Sequence, residues 1–465
     1  MKELYKMKFS QKYKMAYRTR LMLVTLAISL AACGDNDNDG SAGAGNSGKH
    51  LSGPATGKLM DAAVSGVNYS TSSKITGITD KDGIYKYNHG DTVEFKLGSL
   101  VLGKTEAKAI VTPINLAGDS ILRLQNLLVL LQSLDSDGEP NNGISISAVA
   151  AAEVGVDINL DNDPDTFAAS SALQNIRQKA GIEGKIKGSA EINSHFLSQG
   201  ISLLSNNIWV KYDDTTATLI RISSANDGDY LYGEAIVDDP CDADNVCGNK
   251  TVSKAGVEYG PMTLSTFGLR GFKVVGKAAI DTNLQAGLSH LRPSLRIYTD
   301  GYDLITTDLV AEQRKVEKKG IFAELFHIAK PLKLSSSKEK NKIIVKEVRF
   351  SKMVNIASGI VGAWALDNTG INTQVFLFFP NGNYFMVDPI GDVDRDCAEP
   401  GVEFSSYTYD ASTKKLNLKG FTYNTNGCAG FSDNDPATFS IDTDGNKAII
   451  KTKDNSSYVL HRVSR

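Results

Sequence analysis

Three loops gather oxygen donors at close spacing: Asp135, Asp137, Glu139 and Asn141; Asp161, Asp163 and Asp165; and Asp392, Asp394 and Asp396. Alternating carboxylates of this kind are the hard ligands that calcium takes. The same residues, set among Gly and Pro, also make turns with no metal at all. Both readings apply, and Asp135, Asp137, Glu139 and Asn141 are the candidate ligands for a structural calcium; no other cofactor is expected. The run Gly98-Ser-Leu-Val-Leu-Gly103-Lys104-Thr105 fits the phosphate-loop expression G-x-x-x-x-G-K-[ST]. Its inner residues are bulky and apolar, and the next segment, Glu106 to Pro113, reads as a strand stopped by proline, so a hairpin is expected and no nucleotide. The chain has neither His-Glu-x-x-His nor Gly-x-Ser-x-Gly, since Gly287-Leu-Ser289-His290 lacks the second glycine. Six histidines are scattered; His195, beside Phe196 on an expected helix, reads as a hydrogen-bonded structural residue. No catalytic residue emerges, and the chain reads as a protein that is not an enzyme.

These loops sit in a chain of 465 residues, 41% hydrophobic and 22% charged. That composition folds, and the length exceeds what one core serves, so several domains are expected. The first twenty residues carry seven basic side chains and one acidic one, followed by the short apolar run Leu21–Leu30 and then Ala31-Ala32-Cys33. A basic lead, an apolar core and small residues before a cut describe an export signal. The run is about half of the roughly 20 residues that span a bilayer. Leu30-Ala31-Ala32-Cys33 resembles the lipobox of bacterial lipoproteins, which implies acylation of Cys33 as the first mature residue and attachment to a membrane by lipid. Translation from Met15 would leave a normal signal as well. Gly34, in place of Asp, favours the outer membrane of a Gram-negative envelope under that resemblance.

Without residues 1–32 the chain holds forty-three basic and fifty-two acidic residues, a net charge of −9. Four cysteines then remain: Cys241 with Cys247, and Cys397 with Cys428. An even number in an oxidising compartment reads as two disulfides, with local pairs first among three connectivities. A metal site is the alternative, although neither pair has Cys-x-x-Cys spacing or a nearby histidine.

The expected organisation follows the texture of the chain. Residues 33–56 are a Gly/Ser/Asp/Asn-rich tether without apolar periodicity. Residues 57–115 are short strands separated by turns, a small antiparallel sandwich. Here Asp61-Ala-Ala-Val-Ser-Gly-Val67, Thr79-Asp80-x-x-Gly83-x-Tyr85-x-Tyr87 and Gly90-Asp-Thr-Val93 resemble the prealbumin-like module called carboxypeptidase-regulatory-like, which occurs in Gram-negative surface lipoproteins and adhesins and is structural there. Residues 116–206 are helical: apolar positions 121, 124, 127, 128, 131 and 134 recur at helical spacing after Asp119 or Ser120 as N-cap, and 189–204 form a second amphipathic run. Residues 207–353 return to β, ending in the run 312–352 with twelve basic and five acidic residues. That run reads as a solvated face, or else as a patch for an anionic polymer; nucleic acid is not the expected partner. From 354 to 465, eight short strands suggest an up-and-down barrel. Gly362-x-Trp364 and Phe379-x-Asn381-Gly382-x-Tyr384 resemble lipocalin-like domains of bacterial lipoproteins.

The fold class expected is therefore mainly β and multi-domain: sandwich, helical segment, central β region and terminal barrel. The resemblances imply a lipid-anchored, surface-exposed adhesin or binding protein whose ligand is a protein or polysaccharide. The alternatives are a periplasm-facing component of pilus or secretion assembly and, third, a polysaccharide or peptide hydrolase.

Overall fold

The computed structural model describes residues 52–205, 207–224, 227–236, 255–283, 287–289, 295–311, 343–366, 370–391, 399–427, 429–433 and 435–463. The expected signal, most of the expected tether, the basic stretch 312–342 and all five cysteines lie outside them. The chain is mainly β, with a few helices and two closed eight-stranded antiparallel barrels.

The first strands are β1 (Pro54–Leu59), β2 (Val64–Ser65), β3 (Asn68–Thr71), β4 (Thr76–Ile78), β5 (Ile84–Asn88), β6 (Thr92–Leu97), β7 (Leu100–Glu106) and β8 (Ile110–Val111). They form one sheet of order β5-β1-β8 and another of order β4-β3-β6-β7. Strand alternation selects what is buried: Tyr85 and Tyr87 on β5, and Val93, Phe95 and Leu97 on β6. Tyr85 meets Phe95 edge-on at 5.2 Å and Tyr69 at 5.8 Å, so aromatic rings join the two sheets. The phosphate-loop expression falls on the β6–β7 hairpin, where Leu97 pairs with Leu100 and Gly98 turns the chain at φ 54°. Gly103 is packed against the backbone of Leu116, and Lys104 lies in a strand, so no helix N-terminus faces a phosphate.

Helices α1 (Pro113–Leu116) and α2 (Ile121–Ser133) follow, then β9 (Ile144–Ser145), α3 (Ala148–Glu153), α4 (Pro164–Ala168), α5 (Ser171–Lys179) and α6 (Ser189–Ser205). Ser120 caps α2 by accepting from the Arg123 amide at 3.1 Å. The spacing of α2 predicts one buried face, but Leu127 to Ser133 are buried on all sides. The reason is tertiary: β9 pairs in parallel with β2, wrapping the helical segment back onto the sandwich. Helix α6 then carries Phe196 to Phe267 and Phe272 at 4.9 and 5.4 Å, which makes the core continuous from sandwich to first barrel.

The first barrel comprises β10 (Trp209–Tyr212), β11 (Thr216–Ile222), β12 (Asp227–Ile236), β13 (Ala255–Gly268), β14 (Gly271–Gly276), β15 (Ile280–Asp281), β16 (Arg296–Thr299), β17 (Asp303–Ala311) and β18 (Ile343–Lys352). Strand β15 pairs only with β13, beyond the part of β13 that β14 covers, so eight of these nine strands form the ring, and β18 returns to β10 to close it. The second barrel runs in chain order through β19 (Gly362–Ala365), β20 (Val375–Phe378), β21 (Asn383–Asp388), β22 (Gly401–Asp410), β23 (Lys415–Asn424), β24 (Pro436–Ile441), β25 (Lys447–Thr452) and β26 (Ser457–Arg462). Its interior is filled by Trp364, Phe376, Phe378, Tyr384, Phe431 and Phe439 and their neighbours. It is a packed core, one of the two ways an eight-stranded barrel can be built. Outward residues of both barrels meet in a third cluster that includes Leu219, Val257, Leu377 and Phe385. There Gly233 approaches Val387 so closely that a Cβ would lie 2.6 Å from its methyl carbon.

Among the described residues no helix is long and apolar enough to cross a membrane.

Candidate functional site

The two barrels repeat one internal arrangement. Each opens on one of the two tryptophans of the chain, Trp209 and Trp364, whose indole N–H donates to a carbonyl upstream at 2.8 Å. On the closing strand, Lys352 and Arg462 pair with these residues and lie over the rings at 5.7 and 3.9 Å. Inside each barrel is a buried glutamate. Glu258 stands across from Tyr232, and Tyr230, two residues earlier, donates its hydroxyl to Glu258. Glu403 stands across from Met386, and Tyr384, two residues earlier, donates at 2.8 Å.

Both carboxylates are also held by a returning loop. The Ser289 amide donates to Glu258 at 2.6 Å; the Phe431 and Ser432 amides donate to Glu403 at 2.9 Å. The loops read Asp281-Thr-Asn-Leu-Gln-Ala-Gly-Leu-Ser289 and Asn424-Thr-Asn-Gly-Cys-Ala-Gly-Phe-Ser432, with Thr, Asn, Ala, Gly and Ser in register. Thr282 and Thr425 make the same pair of bonds, each hydroxyl accepting from the amide of Val257 or Val402 at 2.9 Å and each amide donating to that residue's carbonyl at 2.9 Å. Gly287 and Gly430, both at positive φ, let the loop backbone touch the carboxylate. The arrangement is a latch that draws a loop back onto a buried acid.

The first barrel departs from the second in one respect. Beside Glu258 it buries Glu234, which accepts from the Tyr232 hydroxyl at 2.8 Å and from Asn283 at 3.4 Å, while Glu258 Oε2 has no hydrogen-bond partner. Burial pushes both carboxyls above the ordinary glutamate range. A raised folded pKa means that the folded barrel keeps protons the unfolded chain releases. The stabilising contribution is complete below the ordinary glutamate value of 4.5 and is lost as pH rises through the raised values. Urea midpoints followed by Trp209 fluorescence in a Trp364→Phe background should therefore fall from acid toward neutral pH. Glu258→Gln should flatten that slope; a midpoint that climbs with pH, or a slope unchanged by the substitution, would refute the assignment.

A different polar cluster lies where α2, α5 and α6 meet the sandwich. Asp61, fully buried, accepts from the Gln132 side chain at 3.0 Å, and burial raises its pKa well above the usual carboxylate range. His195 joins the two flanking segments, with Nε2 2.8 Å from the Asp61 carbonyl and Nδ1 3.0 Å from Asn141 Oδ1. That is the structural role its place on α6 suggested. Asp135 accepts from the Ser145 amide at 2.8 Å, and burial pushes its carboxyl up to about 6. Gln132, Ser133 and Asp135 are all nine-tenths buried or more, and Gln132 Oε1, Ser133 Oγ and Asp135 Oδ2 have no hydrogen-bond partner. These three side chains line a cavity of about 190 Å3. Across it, Arg177 donates to the Glu183 and Gly184 carbonyls at 2.9 and 3.2 Å, and its Nε is unpartnered.

Of the four calcium candidates, the structure brings only Asp135 and Asp137 to this cavity. Asp137 already accepts from the Glu139 amide and from Asn142 at 2.9 and 3.0 Å, Glu139 is exposed at the loop surface, and Asn141 is committed to His195. The loop is built by turn chemistry. Asp163 caps α4 through the Thr166 amide, and Asp161 pairs with Arg123 at 3.6 Å. Among the described residues, no three His, Cys, Asp or Glu side chains converge as metal ligands. Cys33, Cys241, Cys247, Cys397 and Cys428, together with Asp392, Asp394 and Asp396, lie outside the described residues. Gln132 and Ser133 escape a reading of the sequence because they sit in a helix whose period marks leucines. The barrel latch did leave a trace, the repeated Thr-Asn-x-x-Ala-Gly-x-Ser.

No family model, no characterised protein and no solved structure matches this chain.

Proposed function

We propose that this protein is a lipid-anchored binding protein of a bacterial envelope, displayed at the outer surface on a flexible tether. The observation that carries the reading is the run from the basic lead through Leu21–Leu30 to Ala31-Ala32-Cys33, followed directly by a Gly/Ser/Asp/Asn tether that reaches β1. Cys33 carries the lipid, and Cys241, Cys247, Cys397 and Cys428 form disulfides in the oxidising compartment beyond the inner membrane. The architecture suits display. The sandwich, the helices and the first barrel share a continuous core, and an apolar cluster ties the two barrels together. With the second barrel's interior filled by its own side chains, partners meet clefts and outer surfaces.

Protease treatment of intact cells tests the exposure. The expected result is digestion of the full-length protein while a periplasmic marker survives. Protection until the outer membrane is permeabilised would overturn display and favour an inward-facing component of pilus or secretion assembly.

A further inference from the structure

We infer that β13 takes, along its open edge near Phe267, an extended acidic segment of a partner protein whose side chains enter the groove between α2 and α6. The inference deepens the binding-protein reading and rests on it for the origin of the partner. The groove itself is a property of the fold.

The edge arises from register. Strand β12 covers β13 from Ala255 to Thr263, while the hairpin with β14 carries β13 on to Gly268. Among the described residues no strand pairs with β13 on the β12 side beyond Thr263. Alternation decides which backbone groups face that side. The Val274 amide donates to the Leu295 carbonyl at 3.2 Å, so Val274 and, two residues earlier, Phe272 turn toward β16. Their partners on β13, Leu264 and Phe267, therefore turn their N–H and C=O groups to the open side. Leu264 is buried and Phe267 only half-buried, so the accessible part of the edge is at Phe267. An open strand edge is a template for another extended chain.

The space beside the edge suits the side chains of such a chain. A groove of about 250 Å3 separates it from the helices, with Thr266 and Phe267 in one wall and Ile121, Gln125, Asn193 and Leu197 in the other. Ile121 is 43% exposed, and with half-buried Leu197 and Phe267 it offers an apolar seat. Gln125 and Asn193 are half-buried too, and among the described residues neither amide has a hydrogen-bond partner. Each amide carries both a donor and an acceptor, which is what the backbone of an added chain requires. Charge then selects among chains. No charged residue lines the groove, but Arg296 reaches across β14 to donate to Thr266 Oγ1 at its rim, at 3.3 Å. Arg296 stands directly opposite Lys273, and Arg270 is exposed on the hairpin turn. Among the described residues none of the three makes an ion pair. These cations favour Asp or Glu on the incoming segment and oppose Lys or Arg. A second copy of the hairpin would bring the same three cations to the edge, so symmetric pairing is disfavoured.

Fluorescence anisotropy with the full-length protein in detergent micelles tests this, the probe being a labelled peptide of alternating Glu and Val. Saturable binding is expected, and N-methylation of every peptide amide should abolish it, because such a chain cannot add to a strand edge. The peptide with Lys in place of Glu should not bind. Ile121→Glu, which places a carboxylate in the groove, should abolish binding, and Arg296→Ala should weaken it about fivefold, the effect of one exposed ion pair. Hydrogen exchange at the Phe267 amide should slow in the complex. Both substituted side chains reach the surface, and unchanged melting curves separate loss of binding from loss of fold. Absence of saturable binding, equal binding of the N-methylated or the Lys peptide, or binding that survives Ile121→Glu would overturn the inference. Peptide binding by a protein that proteases cannot reach on intact cells would leave it standing and remove surface display instead.

Discussion

Gly430→Ala should destabilise the second barrel by about 3 kcal/mol, and Gly287→Ala should do comparable damage to the first. At Gly430 the backbone has φ +80°, where an L side chain is strained, and a Cβ would stand 2.5 Å from Glu403 Oε2. The carboxylate has nowhere to go, because Tyr384 and the Phe431 and Ser432 amides hold both of its oxygens. Either the latch breaks, leaving a buried acid short of partners, or the loop is expelled and Phe431 leaves its place against Phe376 and Tyr384. Gly287 has φ +88° and faces the Glu258 carboxyl more closely still. Gly420 provides the control: it too has positive φ, but nothing lies within 4 Å of a Cβ there. Gly420→Ala should therefore cost only the backbone strain, about 1 kcal/mol. The two tryptophans make the measurement selective, since each barrel holds one; Trp209→Phe reports the second barrel and Trp364→Phe the first. Denaturant midpoints for Gly430→Ala and Gly420→Ala that coincide would show that the carboxylate latch contributes nothing.

Cys33→Ala should move the protein from the membrane fraction to the soluble fraction almost completely. Under the proposed reading, the only membrane attachment is acyl chains on that residue, each worth about 0.8 kcal/mol per buried CH₂. Two or more chains make release negligible, and removing them removes the anchor whole. The substitution touches nothing in the described fold, which starts at Ser52. The soluble variant should therefore keep the melting behaviour of the solubilised parent. Fractionation after washing with high salt and carbonate separates lipid attachment from adsorption. Retention of Cys33→Ala in the washed membrane would sink the lipoprotein reading, and with it the tether as a spacer.

What the sequence determined by itself is local. Periodicity located α2 and α6, and the alternation of Tyr85, Tyr87, Val93 and Phe95 located the sandwich strands. All eight strands of the last barrel were legible, because each carries a run rich in apolar or β-branched residues bounded by turn residues. The central β region was legible as strands but not as a barrel. Its closure depends on Trp209 pairing with Lys352 across the whole length of the region, and no local pattern encodes that contact. The same limit hid the latches. Glu258 and Glu403 look like any glutamate in a strand until the register places a tyrosine hydroxyl and a loop amide on them. In the carboxylate loop, spacing alone allowed calcium ligands, whereas the fold sends Asn141 to His195 and Asp137 to its own turn. The candidate cavity belongs wholly to the tertiary level. Gln132 and Ser133 are buried only because β9 pairs with β2 and returns the chain onto the sandwich, turning what would be a solvated helix terminus into an interior position.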